Sequence, residues 1–276
     1  MTIDAESAWD LILQARSAWR PGTAAQPQRL AGHPALFEVD PDGTWKASGV
    51  VVNAAAAALL ELYLPLLRPR LAIGQLGQSL DGRIATHKGH SHYVTGPDSL
   101  RHLHRVRALV DAVVVGASTV TEDDPQLTVR HCRGPNPLRV VLDPKRRLSA
   151  RHRLFNDGQA PTLVVGTVAA PAPGRAEAVV LSPADDGAGI VPADVLALLA
   201  RRGAHRVLIE GGGVTVSRFL AAGALDLLHV MVAPLLIGAG RHGVTLPPVD
   251  RIENALRPAH RRIALGEDTL YELRLT

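Results

Sequence analysis

Cysteine is almost absent from this chain. One residue, Cys132, stands among 276, which excludes an internal disulfide and any zinc site built on several thiolates. Aromatic residues are scarce as well, at 3%, so the core has to be aliphatic, made of Leu, Val, Ile and Ala. No apolar run has membrane-spanning length, since Ala54 to Leu67 is interrupted by Glu61 and Pro65. The polar, acidic start Met-Thr-Ile-Asp-Ala-Glu carries no secretory leader, so a cytoplasmic protein with no membrane partner is expected. An excess of one charge is also missing: 30 basic against 26 acidic residues leave +4. The arginines are scattered rather than blocked, so no nucleic-acid partner is implied, and an anionic small ligand is served equally well.

What is present is an aliphatic chain, 46% hydrophobic, long enough for one large domain and an extension. Residues 1–69 read as an accessory segment. It has a helix over 5–19, a loop over 21–33, two strands paired across Asp40-Pro-Asp-Gly43, and an Ala/Leu helix capped by Asn53. Arg68-Pro-Arg70 marks the boundary, and residues 70–276 form the main domain. There, short apolar strands alternate with helices. Strands are expected at 71–80, 112–115, 138–142, 162–165, 179–181, 207–209 and 227–236, with a closing pair at 262–265 and 270–275. Helices are expected at 98–110 and 193–202, and a third follows Gly213 and ends at Gly223. The pattern predicts an α/β fold with a mostly parallel sheet and an antiparallel C-terminal edge.

The stretch Arg206 to Gly223 organises this domain. An apolar strand leads to Glu210, then to Gly211, Gly212 and Gly213, then through Val214 and Thr215 into a helix whose left-handed end falls at Gly223. The stretch is neither a GxGxxG nor a Walker loop. Glycines before a helix start nevertheless let backbone amides approach an anion, and Glu210 lies at the strand end where open α/β sheets bind ligands. Gly116-Ala-Ser-Thr119 has the same form after another buried strand, with Thr119 as a hydroxyl donor and Asp123-Asp-Pro as the stop. Two such turns in one sheet can grip both halves of a dinucleotide.

Ser79-Leu-Asp81-Gly-Arg83 is either a plain β-turn or an Asp and an Arg presented beside a cleft. Five of the 12 histidines lie between His87 and His104. His102 and His104, however, stand about 200° apart around a helix, and no carboxylate lies at ligand spacing, so no metal is expected. On the 98–110 helix, Arg107 falls about 40° from Leu103, inside an apolar arc with Leu100, Val106 and Val110. A buried arginine there meets either an anionic ligand or an internal carboxylate. Asp143-Pro-Lys145-Arg-Arg147 follows a strand and suits an adenosine 2′-phosphate, or is a solvated basic loop.

In combination and order, several motifs resemble the reductase domain of the bifunctional riboflavin-biosynthesis deaminase–reductase family, a domain similar in fold to dihydrofolate reductase. They are Ser79 to Arg83, Ser91 to Thr95, Arg107, Val115 to Val120, Asp123 to Arg130, Pro137 to Asp143, Glu210-Gly-Gly and Ala233 to Gly238. The family's deaminase signature, His-x-Glu with Pro-Cys-x-x-Cys, is missing, so a free-standing reductase with an unrelated N-terminal extension is expected. The resemblance implies NADPH-dependent reduction of a ribosyl group in a pyrimidine ribosylamine 5′-phosphate, carried out by a homodimer. It implies that Ser91, Arg107, Leu127, Arg130 and Glu210 hold the substrate, with the two arginines on its phosphate. It further implies that Gly77, Tyr93, Thr119, Asp123 and the 212–218 turn line the cofactor, joined here by Gly116, Gly211 and Lys145. Asp81, Arg83 and Glu210 are the expected residues near the reacting carbon. Tyr93 stands where the family often has Trp, and Arg83 where many members have Lys. Arginine stays protonated and is a poor acid, which puts a proton-donor role there in doubt. The alternatives are a same-fold reductase for another heterocycle, such as a pteridine or a secondary-metabolite intermediate, and a non-catalytic NADPH-binding paralogue.

Overall fold

Runs of Val, Ile and Leu without alternation make the centre of this protein a sheet buried on both faces. The computed structural model describes residues 2–18, 28–29, 36–40, 43–92, 94–184, 187 and 189–276. Tyr93, most of the expected loop over 21–33, and residues 41–42 of the expected turn lie outside the described residues. The chain divides into two units, Met1–Leu71 and Ala72–Thr276.

The first unit contains β1 (Thr2–Ile3), α1 (Ala5–Ala18), β2 (Gln28–Arg29), β3 (Leu36–Val39), β4 (Trp45–Ser48), β5 (Val51–Val52) and α2 (Ala54–Tyr63). Asn53 caps α2 through its side-chain oxygen, which accepts from the Ala56 N–H at 2.8 Å. The buried side of α1, including Trp9 and Ile12, meets α2 through an edge-on Trp9–Tyr63 pair at 5.5 Å.

The second unit runs β6 (Leu71–Ser79), β7 (Arg83–Thr86), α3 (Pro97–Leu109), β8 (Ala112–Gly116), α4 (Ala117–Asp123), β9 (Leu138–Leu142), β10 (Thr162–Gly166) and β11 (Glu177–Val180). It continues through α5 (Pro192–Arg201), β12 (Arg206–Glu210), α6 (Gly213–Ala221), β13 (Leu227–Ala233), β14 (Gly240–His242), β15 (Ala259–Leu265) and β16 (Asp268–Arg274). Nine strands form one sheet in the order β11-β10-β9-β8-β12-β6-β13-β16-β15. β9 is parallel to β8 and β10, β8 to β12, and β6 to β13. The β13–β16 and β15–β16 pairs are antiparallel. The expected architecture is therefore the one found, with element ends shifted by up to three residues, the 262–265 strand starting at Ala259 and the 227–236 strand stopping at Ala233. On one face Val207 and Ile209 pack with Val195 and Leu199 of α5 and Val216 and Phe219 of α6.

Helix α3 lies on the sheet differently from its apolar pattern. Leu100 is 39% exposed, whereas Ser99, His102, Val106 and Leu109 are buried. The buried face is rotated away from Leu103 because polar partners await it. His102 Nε2 lies 3.2 Å from His229 Nδ1 on β13, and the Ser99 hydroxyl donates to Asp268 at 2.6 Å. A buried polar group with a partner is tolerated where a bare apolar pattern would place a leucine.

Candidate active site

The strand ends that matter are neighbours in the sheet: Gly116 on β8, Glu210 on β12 and Ser79 on β6. From β8 the chain passes through α4 to β9 on one side. From β12 it passes through α6 to β13 on the other. Where successive connections diverge in this way a crevice opens at the strand ends. The two glycine turns face each other across it. Gly211 has φ of +106°, which favours glycine, and the Gly212 N–H donates to the Thr119 hydroxyl at 3.0 Å. Thr119 therefore acts here as an acceptor that ties one turn to the other. A Cβ on Gly116 would lie 2.5 Å from Thr215 Oγ1, and a Cβ on Gly213 would collide with the carbonyl oxygen of Gly243. Helix α6 begins without a side-chain cap, and Val214 in its first turn is 72% exposed. An uncapped, exposed helix start behind a glycine turn is the feature that suits an anion. Gly77 belongs to the same end of the sheet, where a Cβ would press within 2.6 Å of the Thr95 methyl.

Beside the cradle lies a charged cluster. Arg107, 5% exposed, donates from Nε to Glu210 Oε2 at 2.8 Å and from Nη2 to Oε1 at 2.5 Å. This is the bidentate geometry that suits a guanidinium to a carboxylate. An internal carboxylate, one of the two partners expected of a buried arginine, is therefore in place. Arg107 Nη1 also donates to the Thr128 carbonyl at 3.0 Å. The Arg130 guanidinium donates to the Thr128 hydroxyl at 2.9 Å, so both arginines converge on one residue. Partial burial and the neighbouring Arg107 charge lower the Arg130 pKa from its ordinary value. With two guanidiniums against one carboxylate, the cluster carries a surplus positive charge suited to an anion. Leu127 is 1% exposed and has φ of +56°, so its side chain is core and its backbone turns the chain toward Thr128. The Ser91 hydroxyl donates to Asp123 at 3.0 Å, which brings an expected substrate residue and an expected cofactor residue together.

Asp81, Arg83 and Lys145 are the remaining expected residues. Asp81 and Arg83 are engaged by the chain at 237–242, through the Gly238 N–H on Asp81 and the Gly238 carbonyl under Arg83 Nε. Lys145 is exposed in the loop after β9, where the buried Asp143 accepts from the Leu148 N–H at 2.9 Å and closes the turn. Among the described residues no group of three or more His, Cys, Asp or Glu is placed to hold a metal ion.

Two participants escaped the sequence reading. His104 is fully buried and its Nδ1 accepts from the Arg130 backbone N–H at 2.9 Å. Its only linear signal is its position three residues before Arg107. The other is the strip 237–245, whose signal was there to read: Gly238, Gly240 and Gly243 fall at G-x-G-x-x-G spacing. It forms an antiparallel ribbon of β14 with β7 rather than a strand-to-helix turn.

Comparison with known proteins bears on this site. Residues 71–269 match the family described as the RibD C-terminal domain. The chain is 36% identical over 222 residues to the 2,5-diamino-6-ribosylamino-4(3H)-pyrimidinone 5′-phosphate reductase of Methanothermobacter thermautotrophicus, covering 75% of this chain and 98% of that protein. It is 32% identical over 252 residues to the riboflavin biosynthesis protein RibD of Mycobacterium tuberculosis, covering 89% of this chain and 66% of that one. The crystal structure of the Thermotoga maritima diaminohydroxyphosphoribosylaminopyrimidine deaminase/5-amino-6-(5-phosphoribosylamino)uracil reductase superposes with a TM-score of 0.62 at 28% identity, over 82% of this chain and 63% of that one. The chain thus spans slightly under two thirds of these two longer relatives.

Proposed function

Since the chain belongs to the RibD C-terminal domain family, we propose that it is an NADPH-dependent reductase that converts the ribosyl group of a pyrimidine ribosylamine 5′-phosphate into a ribityl chain. The observation that carries this reading is the convergence of Arg107 and Arg130 on Thr128 beside Glu210. A doubly basic cluster at a sheet crevice suits a phosphorylated substrate and has no use for a neutral one. The reductase from Methanothermobacter, which this chain covers almost end to end, supports the same substrate class.

The glycine cradle supports the cofactor. Gly116, the Gly211–Gly213 turn and the start of α6 would receive the pyrophosphate, since α6 begins with no side-chain cap on its first amides, with Thr119 holding the two turns together. When bound, NADPH supplies a hydride. The chain's own contribution is orientation and electrostatics. Arg130 and Arg107 hold the phosphate end of the substrate. Glu210 keeps Arg107 fixed and offers its carboxylate toward the sugar. Ser91 and Asp123 stand between substrate and cofactor. The ribosylamine opens to an imine, the carbon of that imine is reduced, and the nitrogen takes a proton from solvent.

The test follows the near-ultraviolet absorbance of NADPH with the deaminated pyrimidine ribosylamine phosphate and with its undeaminated precursor. Oxidation that vanishes in Arg130→Ala and Glu210→Ala is expected. Tight NADPH binding with neither substrate oxidising it would refute the proposal and leave a non-catalytic binding protein.

A further inference from the structure

The turn Ser79–Arg83 grips a second part of the chain. The Asp81 carboxylate accepts from the Ser79 hydroxyl at 2.5 Å, from the Ile237 N–H at 3.1 Å and from the Gly238 N–H at 2.6 Å. Arg83 Nε donates to the Gly238 carbonyl at 3.0 Å, and its Nη1 lies 2.6 Å from the His242 ring nitrogens. Backbone bonds from Leu80 to Leu235 and from Gly243 to Gly82, at 2.8 and 3.0 Å, close both ends. The strip is then laid over the cradle. The Gly243 carbonyl sits against Gly213, and a Cβ on Gly243 would be 2.6 Å from Gln78 Oε1. The Thr245 N–H donates to Ser217 of α6 at 2.8 Å, and Arg241 pairs with Glu122 of α4. Residues 237–245 therefore bridge the helices that follow both glycine turns.

We infer that Asp81 is a positioning residue: it latches the 237–245 strip against the Gly211–Gly213 turn and so sets the shape of the pyrophosphate cradle. The inference rests on the cofactor reading above. Ser79 and the two amides hold the Asp81 carboxyl down to about 2, so it stays an ionised acceptor and is not a proton donor at neutral pH. Arg83 completes the latch from the carbonyl side. A lysine has a single ammonium and could not serve the Gly238 carbonyl and the His242 ring with one planar fork, which gives the arginine at this position a purpose.

Asp81→Asn tests this, since an amide offers one acceptor oxygen where two backbone N–H groups and a hydroxyl need a carboxylate. In the full chain without cofactor, amides in 237–245 should exchange hydrogen about tenfold faster while β12 is unchanged, a tenfold change being about 1.4 kcal/mol. NADPH affinity, read by fluorescence titration, should weaken by about the same factor. The turnover rate at saturating NADPH should fall far less than affinity does. Faster exchange in 237–245 with unaltered NADPH affinity would overturn the coupling of latch to cradle. A collapse in turnover with affinity intact would place Asp81 at the reacting carbon and overturn it too. Should the variant fail to fold, Ser79→Ala removes one bond of the latch and must show the same order of effects on a smaller scale, or the inference falls. The exchange and titration arms need no pyrimidine. A wild-type protein that oxidises no NADPH, with Asp81→Asn still weakening NADPH, would sink the substrate proposal and leave the latch standing.

Discussion

His104 shows how one side chain can decide where a charge sits. It leaves α3 one turn before Arg107 and accepts the Arg130 backbone N–H, while Arg107 takes the Thr128 carbonyl. The helix thus holds the Thr128–Arg130 segment at two points. With Nδ1 accepting, the ring proton is on Nε2, which is buried with no hydrogen-bond partner among the described residues. In His104→Leu the Arg130 N–H loses its acceptor, at about 1–3 kcal/mol for a buried unmade bond. The KM for the phosphorylated substrate is expected to rise about tenfold, with NADPH affinity unchanged and His104→Asn recovering part of the loss. Steady-state kinetics and a melting curve on the three proteins check this. Equal losses in NADPH affinity and substrate KM would show a general collapse instead. Arg107 is a different case. Removing it would strand Glu210 in a site where breaking a buried pair costs about 3–5 kcal/mol, so its loss of activity would not separate binding from stability.

At the scale of elements, α3 is mounted by polar contacts made far away in the chain. Its N-cap is Gly96, which has no capping side chain. The cap comes from Asp268 at the start of β16, which accepts from the Gly96 N–H at 2.7 Å and from Ser99 at 2.6 Å. A carboxylate at a helix N-terminus also favours the helix dipole. Asp268→Ala is expected to cost about 0.5–2 kcal/mol, the range for losing a cap, and to raise the substrate KM because α3 carries both His104 and Arg107. Thermal melting and a KM comparison test it; a lowered melting temperature with unchanged KM would show that the helix start is uncoupled from the site. Further along, His102 joins His229, and His229 joins Glu272, which takes two bonds from Arg261. This line runs from α3 through β13 and β16 to β15, so the antiparallel edge is tied to the helix that carries Arg107 and holds the Arg130 segment.

Across the whole molecule these buried groups set the response to acid. Burial, then the Arg107, Arg130 and His131 charges, lower His104 from 6.5 to about 3. Burial lowers His102 well below its ordinary value as well. The unfolded chain takes up these protons first, so stability falls as pH drops below about 6.5. Burial pushes Glu272 up, but the His229 and Arg261 hydrogen bonds outweigh it and hold the carboxyl down to about 2. Its contribution is present above 4.5 and is lost as pH falls from there toward 2. The melting temperature should be level near neutrality, decline below about 6.5 and steepen below about 4.5. Replacing His102 and His104 together by Asn should flatten the first decline, and an unchanged decline in that variant would assign the acid lability elsewhere.

The linear order of residues determined the sheet, because continuous Val-Ile-Leu runs have one stable home, a strand covered on both faces. It determined the glycine turns and the end of α6 as well. Gly223 adopts φ of +60° at the place where only a left-handed residue closes the helix. Arg107 as a buried arginine was legible for the same local reason. Which carboxylate meets it was not, since Glu210 lies 103 residues away. The facing of α3 was misread because helical periodicity counts leucines, and the helix turned instead toward His229 and Asp268, polar partners supplied by other strands. The task of Asp81 was hidden for a related reason. A carboxylate takes its role from the donors around it, and two of its three donors, Ile237 and Gly238, come from over 150 residues downstream, at separations of 156 and 157. Periodicity and turn chemistry act between neighbours and can be read along the chain. Charge pairing and capping depend on distance in space, which only the folded sheet creates.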